Sequence, residues 1–262
     1  MNKIRAKKSL GQNFLSDPKI LKKIADSAEI GETDTVVEIG PGKGSLTLEL
    51  LKVAKKVIAI EKDELLAKNL EEIFSKEITD NRLEIIVGDV LELEAKSLEL
   101  GGGKERLKVL DSKLPALSYK LVGNIPYYIT GEIFRKFLES DNQPTSITFV
   151  IQKEVAERIV AKNNKESILS ISIKAYGEPK YGGTIKKGSF FPVPKVDSAI
   201  LTIKNISKQR FLENEVEEGH FFEILRLGFS HKRKFLVKNL KTSNYIFEKL
   251  KIPEKSRAED IK

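Results

Sequence analysis

A chain of 262 residues that is 40% hydrophobic and 32% charged has room for one full α/β domain plus a small second module, and it buries a core of ordinary size. It contains no cysteine, which excludes disulfide frameworks, thiolate metal sites and cysteine nucleophiles and fits a cytoplasmic protein. Nowhere does it approach the roughly 18 consecutive apolar residues of a membrane-spanning helix, and its basic N-terminus is followed by no apolar signal segment.

The net charge of +8 is distributed unevenly. From Met1 to Ser16 there are four basic residues and no acid, and from Ile224 to Phe247 there are six and again none. Acid-free basic tracts at opposite ends of a chain read as phosphate-contacting surface, with Lys7, Lys8, Arg226, Lys232, Arg233 and Lys234 as the candidates. A solvated helix face is the alternative.

Asp17-Pro18 is an N-cap followed by proline at the first helical position, and Ile20, Leu21, Ile24, Ala25 and Ala28 form one apolar stripe behind it. Thr35–Ile39 reads as a strand entering the turn Gly40-Pro41-Gly42-Lys43-Gly44. Ser45–Ala54 reads as a crossover helix, Val57–Glu61 as a second strand and Asp63–Lys76 as a helix. Leu83–Val87, Tyr119–Gly123 and Ile147–Ile151 continue the strand series. Glu94–Ser118 shows no clear strand and reads as a surface excursion. Two β runs lie between Tyr181 and Ile203, joined by Phe190-Phe191-Pro192-Val193-Pro194. Beyond Asn205 the β pattern stops, and His220–Lys251 is helical in pattern. The expected organisation is a catalytic domain over 1–205 and a small helical, RNA-contacting domain over 206–262, within which the acidic stretch Glu213–Glu218 reads as a solvated linker.

Glycines between a strand and a crossover helix let the backbone turn tightly and approach a ligand at the cofactor-binding end of an α/β sheet. Glu38 precedes the turn and can face the amino-acid end of a cationic ligand. Glu61 ends the next strand, where a carboxylate accepts both hydroxyls of a ribose, and Asp89 ends the third, where a carboxylate suits an adenine amino group. This set serves a nicotinamide dinucleotide and S-adenosylmethionine equally. Ser45, however, stands where the dinucleotide fingerprint wants glycine or alanine, and the two histidines, His220 and His231, are badly placed for a proton relay.

Asn124-Ile125-Pro126-Tyr127 closes the fourth strand at the same edge and has the form of the turn used by methyltransferases that act on exocyclic amines. The lone pair of adenine N6 is delocalised into the ring, so the nitrogen is a poor nucleophile. Hydrogen bonds from N6–H to the Asn124 side-chain oxygen and the Ile125 carbonyl favour a pyramidal nitrogen aimed at a methyl donor. Pro126 stiffens the turn, and Tyr127 can stack on an extruded base.

Taken together these residues closely resemble the ribosomal RNA adenine dimethyltransferase family. The resemblance runs from Ser9-Leu10-Gly11-Gln12-Asn13-Phe14-Leu15 through the segments above to Phe190–Ala199 and Gly228-Phe229-Ser230-His231-Lys232-Arg233-Lys234. It implies a class I S-adenosylmethionine-dependent methyltransferase, Rossmann-like, with a mostly parallel seven-stranded sheet and a small C-terminal all-α domain. It further implies that Asn13, Leu15, Gly40, Glu61, Asp89 and Asn124 contact S-adenosylmethionine, beside Glu38, Gly42 and Gly44 of the turn. Asn124, Pro126 and Tyr127 would be catalytic, with Phe190 a second aromatic wall for the base. Of the family's two branches, Lys195–Ala199 and Ser230–Leu236 resemble the one that dimethylates N6 of two adjacent adenosines in a hairpin loop near the 3′ end of 16S rRNA. The implied partner is small-subunit rRNA in the assembling 30S particle, met by a monomer that needs no metal or membrane. The family pattern continues for another short helix beyond Lys262. A rival reading, an RNA-binding assembly factor that needs no catalysis, would not require Glu61, Asp89 and Asn124 intact.

Overall fold

The computed structural model describes residues 6, 7, 10–92 and 118–261. Lys8 and the expected excursion from 94 to 117 lie outside them. Nine strands are present among the described residues: β1 (Phe14–Leu15), β2 (Thr35–Ile39), β3 (Lys56–Glu61), β4 (Leu83–Val87), β5 (Tyr119–Asn124), β6 (Ser146–Gln152), β7 (Glu178–Ile185), β8 (Phe190–Phe191) and β9 (Ser198–Lys204). Seven make one sheet in the order β4-β3-β2-β5-β6-β9-β7. The first five run parallel, β9 runs antiparallel to them, and β7, antiparallel to β9, runs in the direction of the first five. Chain order reverses between β2 and β5, the place where an open α/β sheet leaves a crevice for ligands beyond its strand ends.

Both sheet faces are covered, so the strands read as continuous apolar runs whose residues go alternately to two cores. Val37, Ile58, Leu121 and Phe149 face one, with Ile133, Phe134 and Tyr176. Val36, Val57, Val122 and Val150 face the other, with Leu21, Ile24, Leu50 and Phe74. The first helix, Pro18–Ser27, starts as its sequence predicts: the Asp17 carboxylate accepts the Lys19 N–H at 2.9 Å, and proline follows it.

Beyond Lys204 the described chain is helical, but not over one stretch from His220 to Lys251. Helices span Gln209–Glu213, Glu218–Gly228, Leu236–Asn239 and Asn244–Lys249. Lys232, Arg233 and Lys234 therefore sit on an exposed turn rather than on the outer face of a helix. Asn239 explains the break: its side-chain amide donates to the carbonyls of Gly228 (2.6 Å) and His231 (3.1 Å), giving the turn the partners a continued helix would have supplied. Phe211 and Phe222 pack on Tyr176 with ring centroids 5.4 and 6.0 Å away, joining the tail to the core beneath the sheet.

Candidate active site

A cavity of about 300 Å³ opens at the carboxyl ends of β2, β3, β4 and β5. Its lining includes Asn13, Leu15, Glu38, Gly40, Gly42, Glu61, Asp89, Asn124, Pro126 and Tyr127, so residues taken from five separate stretches of sequence meet here. Gly44 closes the glycine turn from behind with φ of 80°, and a Cβ there would lie 2.5 Å from the Phe74 ring. Only glycine fits that conformation and that space.

The acids differ in state. Glu61 is pre-bonded by backbone: one oxygen accepts the Gly42 N–H at 3.0 Å and the other the Asp63 N–H at 2.9 Å. Burial still pushes its carboxyl up, against those two bonds. Each oxygen keeps a further lone pair for a vicinal diol. At Asp89 burial opposes ionisation, but the Lys62 ammonium at 2.6 Å and the Leu91 N–H at 2.9 Å outweigh it and hold the carboxyl below its usual value.

Glu38 is 1% exposed, with its Oε2 buried and unpartnered. Burial pushes its carboxyl up to about 8, an effect the neighbouring Thr47 hydroxyl only partly offsets and the Glu61 charge reinforces. A buried carboxyl that cannot ionise alone suits a site that receives a cation. A carboxyl raised in the folded state costs nothing below its ordinary value of 4.5, and its cost grows as pH climbs toward about 8. The ligand-free protein should therefore lose stability over that window, by on the order of a few kcal/mol, and Glu38→Gln should remove the loss. Melting temperatures at pH 5 and pH 8 test this: the variant's advantage must widen at the higher pH, and a constant gap would show that Glu38 is already ionised.

At the Asn-Ile-Pro-Tyr turn, the Asn124 side-chain N–H donates to the Asn13 carbonyl at 2.9 Å. That fixes the amide orientation and leaves Oδ1 to accept a hydrogen bond from a ligand. The Tyr127 hydroxyl is tied to Ser198 Oγ at 2.7 Å, which immobilises the ring at the cavity wall.

Phe190 is placed differently from Tyr127. It is 3% exposed, packs in the core that holds Leu15 and Val122, and pairs across β1–β8 with Leu15. Its neighbour Phe191 is 72% exposed. Lys7 pairs with Asp63 at 2.9 Å. Arg226, Lys232, Arg233 and Lys234 are exposed and have no acidic partner among the described residues. Arg226 and Lys232 border a groove of about 1400 Å³ between the tail and the helices at 130–138 and 168–176. There Arg135, Arg158 and Lys162 pair with Glu139, Glu154 and Glu157. Sequence reasoning assigned no role to Gln12, Lys62, Asp63 and Ser198, although Gln12 and Ser198 lie within the segments that carry the resemblance and Asp63 is an N-cap before an apolar helix.

Residues 3–262 match the family model described as ribosomal RNA adenine dimethylase. A ribosomal RNA small subunit methyltransferase A of Dehalococcoides mccartyi is 40% identical over 237 residues, covering 90% of this chain and 75% of the relative. One from Fusobacterium nucleatum is 37% identical over 264 residues, covering 97% and 92%. Among solved structures, the 23S rRNA methyltransferase ErmE superposes with a TM-score of 0.73 at 25% identity, over 95% of both chains. A dimethyladenosine transferase from Plasmodium falciparum gives 0.69 at 30% identity, over 91% of this chain and 78% of that one. With a glycine turn, strand-end acids and the Asn-Ile-Pro-Tyr turn gathered around one cavity of a Rossmann-like methyltransferase sheet, this chain belongs to the ribosomal RNA adenine dimethylase family.

Proposed function

We propose that this chain transfers methyl groups from S-adenosylmethionine to N6 of two adjacent adenosines in a hairpin loop near the 3′ end of 16S rRNA. It does so as a cytoplasmic monomer acting on the assembling 30S particle, with a catalytic domain over 1–205 and an RNA-contacting helical domain over 206–262. The observation that carries the chemistry is Asn124, whose amide is locked by Asn13 so that a lone acceptor stands at the mouth of the cavity. The small-subunit substrate is supported by the names of relatives that share about two residues in five with this chain.

The cavity fits the cofactor on its own chemistry. Glu61 has acceptors for a ribose diol, Asp89 faces the position of an adenine amine, and the unpartnered Glu38 carboxyl is where a cationic ligand relieves a buried cost. When bound, S-adenosylmethionine supplies an electrophilic methyl on a sulfonium. The protein's part is positioning. Asn124 Oδ1 and the Ile125 carbonyl accept N6–H hydrogen bonds and turn the nitrogen lone pair outward, while Tyr127 holds the base by its face. An exocyclic amine can attack a methyl donor before it loses its proton, so none of these side chains would need to act as a base. Monomethyl-adenosine still carries one N–H for the same acceptors, which permits a second round.

Nucleoside mass spectrometry of small- and large-subunit particles, incubated with the enzyme and S-adenosylmethionine, tests the proposal. Dimethyladenosine should appear in small-subunit RNA alone, and its appearance in the large subunit would reverse the substrate. RNA binding measured over a salt series tests the basic turn. Changing Lys232, Arg233 and Lys234 to Ala should flatten the dependence of RNA affinity on salt by about one log–log unit for each phosphate no longer gripped. An unchanged slope with a lowered melting temperature would give the turn a packing role only.

A further inference from the structure

The N-terminal run is stitched to the active site at both of its ends, and one stitch is a carboxylate with no role in the chemistry above. Asp63 is 4% exposed. Its Oδ1 accepts the Lys7 ammonium at 2.9 Å and the Leu65 N–H at 3.1 Å, and its Oδ2 accepts the Gln12 side-chain amide at 3.2 Å. The Lys7 N–H in turn donates to Gln12 Oε1 at 2.7 Å, which closes a small network. On its other side the Asp63 N–H holds Glu61 Oε1 at 2.9 Å.

At the far end, Gly11 lies so close to the catalytic turn that a Cβ would come within 3.2 Å of the Tyr128 ring and 3.4 Å of Pro126. The Asn13 carbonyl fixes Asn124. The Lys43 ammonium stands 4.9 Å from the Phe14 ring centroid, and β1 pairs with β8. Leu10 to Leu15 all line the cavity. A short piece of chain thus reaches the ribose-side acid through Asp63 and touches the Asn124 amide directly.

We propose that Asp63 is a positioning residue, holding Leu10–Leu15 across the cavity through Lys7 and Gln12 and so setting cofactor affinity without touching the cofactor. The inference rests on the assignment of the cavity to S-adenosylmethionine. The ion pair is suited to the task because its acidic partner is nearly buried while Lys7 remains half exposed, so it is screened less than a surface pair. At Asp63 burial works against ionisation, but Lys7, Gln12 and the Leu65 N–H together hold the carboxyl below its usual value, and the charge is present at neutral pH.

The test is calorimetric binding of S-adenosylmethionine without RNA. Asp63→Asn removes the charge yet keeps a good helix cap, so folding is preserved. We expect Asp63→Asn and Lys7→Met each to weaken binding roughly three- to tenfold, and the double variant to be no weaker than Asp63→Asn alone. Lys7→Arg should recover most of the loss. Multiplying effects in the double variant, or lowered ligand-free melting temperatures with unchanged affinity, would overturn the role. Glu61→Ala, run beside them, separates the two readings. If it abolishes binding while both single variants bind normally, Asp63 loses its role and the cavity keeps its ligand. If Glu61→Ala binds normally, the cavity assignment falls and takes this role with it.

Discussion

Asn124→Ala should lower the methyl-transfer rate by about 10²-fold or more while RNA affinity stays within a few fold, the usual result of removing a pre-organised polar contact from a transition state. The geometry says why the loss should be in rate. Asn124 spends its N–H on the Asn13 carbonyl, so the amide needs no reorganisation when the adenine arrives, and its Oδ1 gains most when N6 becomes pyramidal and its hydrogens more acidic. Asn124→Asp sharpens the test. It retains an acceptor but sets an oxygen against the Asn13 carbonyl, so the acceptor loses its anchor and activity should recover only in part. Single-turnover rates and RNA binding, measured on the same particles, give the answer. An equal fall in both would make Asn124 a binding residue instead.

Glu61→Ala should weaken S-adenosylmethionine binding by about 10²-fold or more, a larger effect than the removal of a ribose partner alone. Taking an acceptor from two ribose hydroxyls costs on the order of 1–3 kcal/mol. In this fold the substitution also strips the Gly42 and Asp63 N–H groups of their partner, loosening the glycine turn and the start of the helix at Glu64–Ile73 together. A modest drop in melting temperature should accompany the weaker binding. Calorimetry decides the assignment, because cofactor binding at wild-type strength would remove Glu61 from the ribose.

Much of this was legible in the sequence, for identifiable reasons. β2, β3 and β6 are buried on both faces, so burial demanded short β-branched runs that stand out without any periodicity. The glycine turn and the strand-end acids follow directly from those boundaries. β1 and β8 were not legible: each has two residues, too few to show a pattern, and they pair across most of the chain. Nor was the Lys7–Asp63 pair, which joins residues 56 apart that no local preference connects. The tail misled for a different reason. Phe235, Leu236 and Leu240 carry helical spacing and do bound a short helix, but it does not continue back to Gly228, because Asn239 turns its amide onto the carbonyls of Gly228 and His231 and holds a turn between the two helices. Phe190 shows the reverse case. Its motif pointed to a base-stacking wall, whereas pairing opposite Leu15 places it in the core.

The pairing of β1 with β8 also sets a timetable. During synthesis Phe14 leaves the ribosome long before Phe191, and the neighbouring strand β9, which carries the Ser198 that anchors Tyr127, follows later still. The parallel strands β2 to β6 can begin to associate on the nascent chain, because domains gather from the N-terminal side as they emerge. The cavity's lining lies within residues 10–132, but the strand partner of β1 and the anchor of Tyr127 arrive only with the last strands. A ligand stabilises only the form that binds it, so S-adenosylmethionine should protect chains translated past β9 from proteolysis more than fragments ending before Phe191.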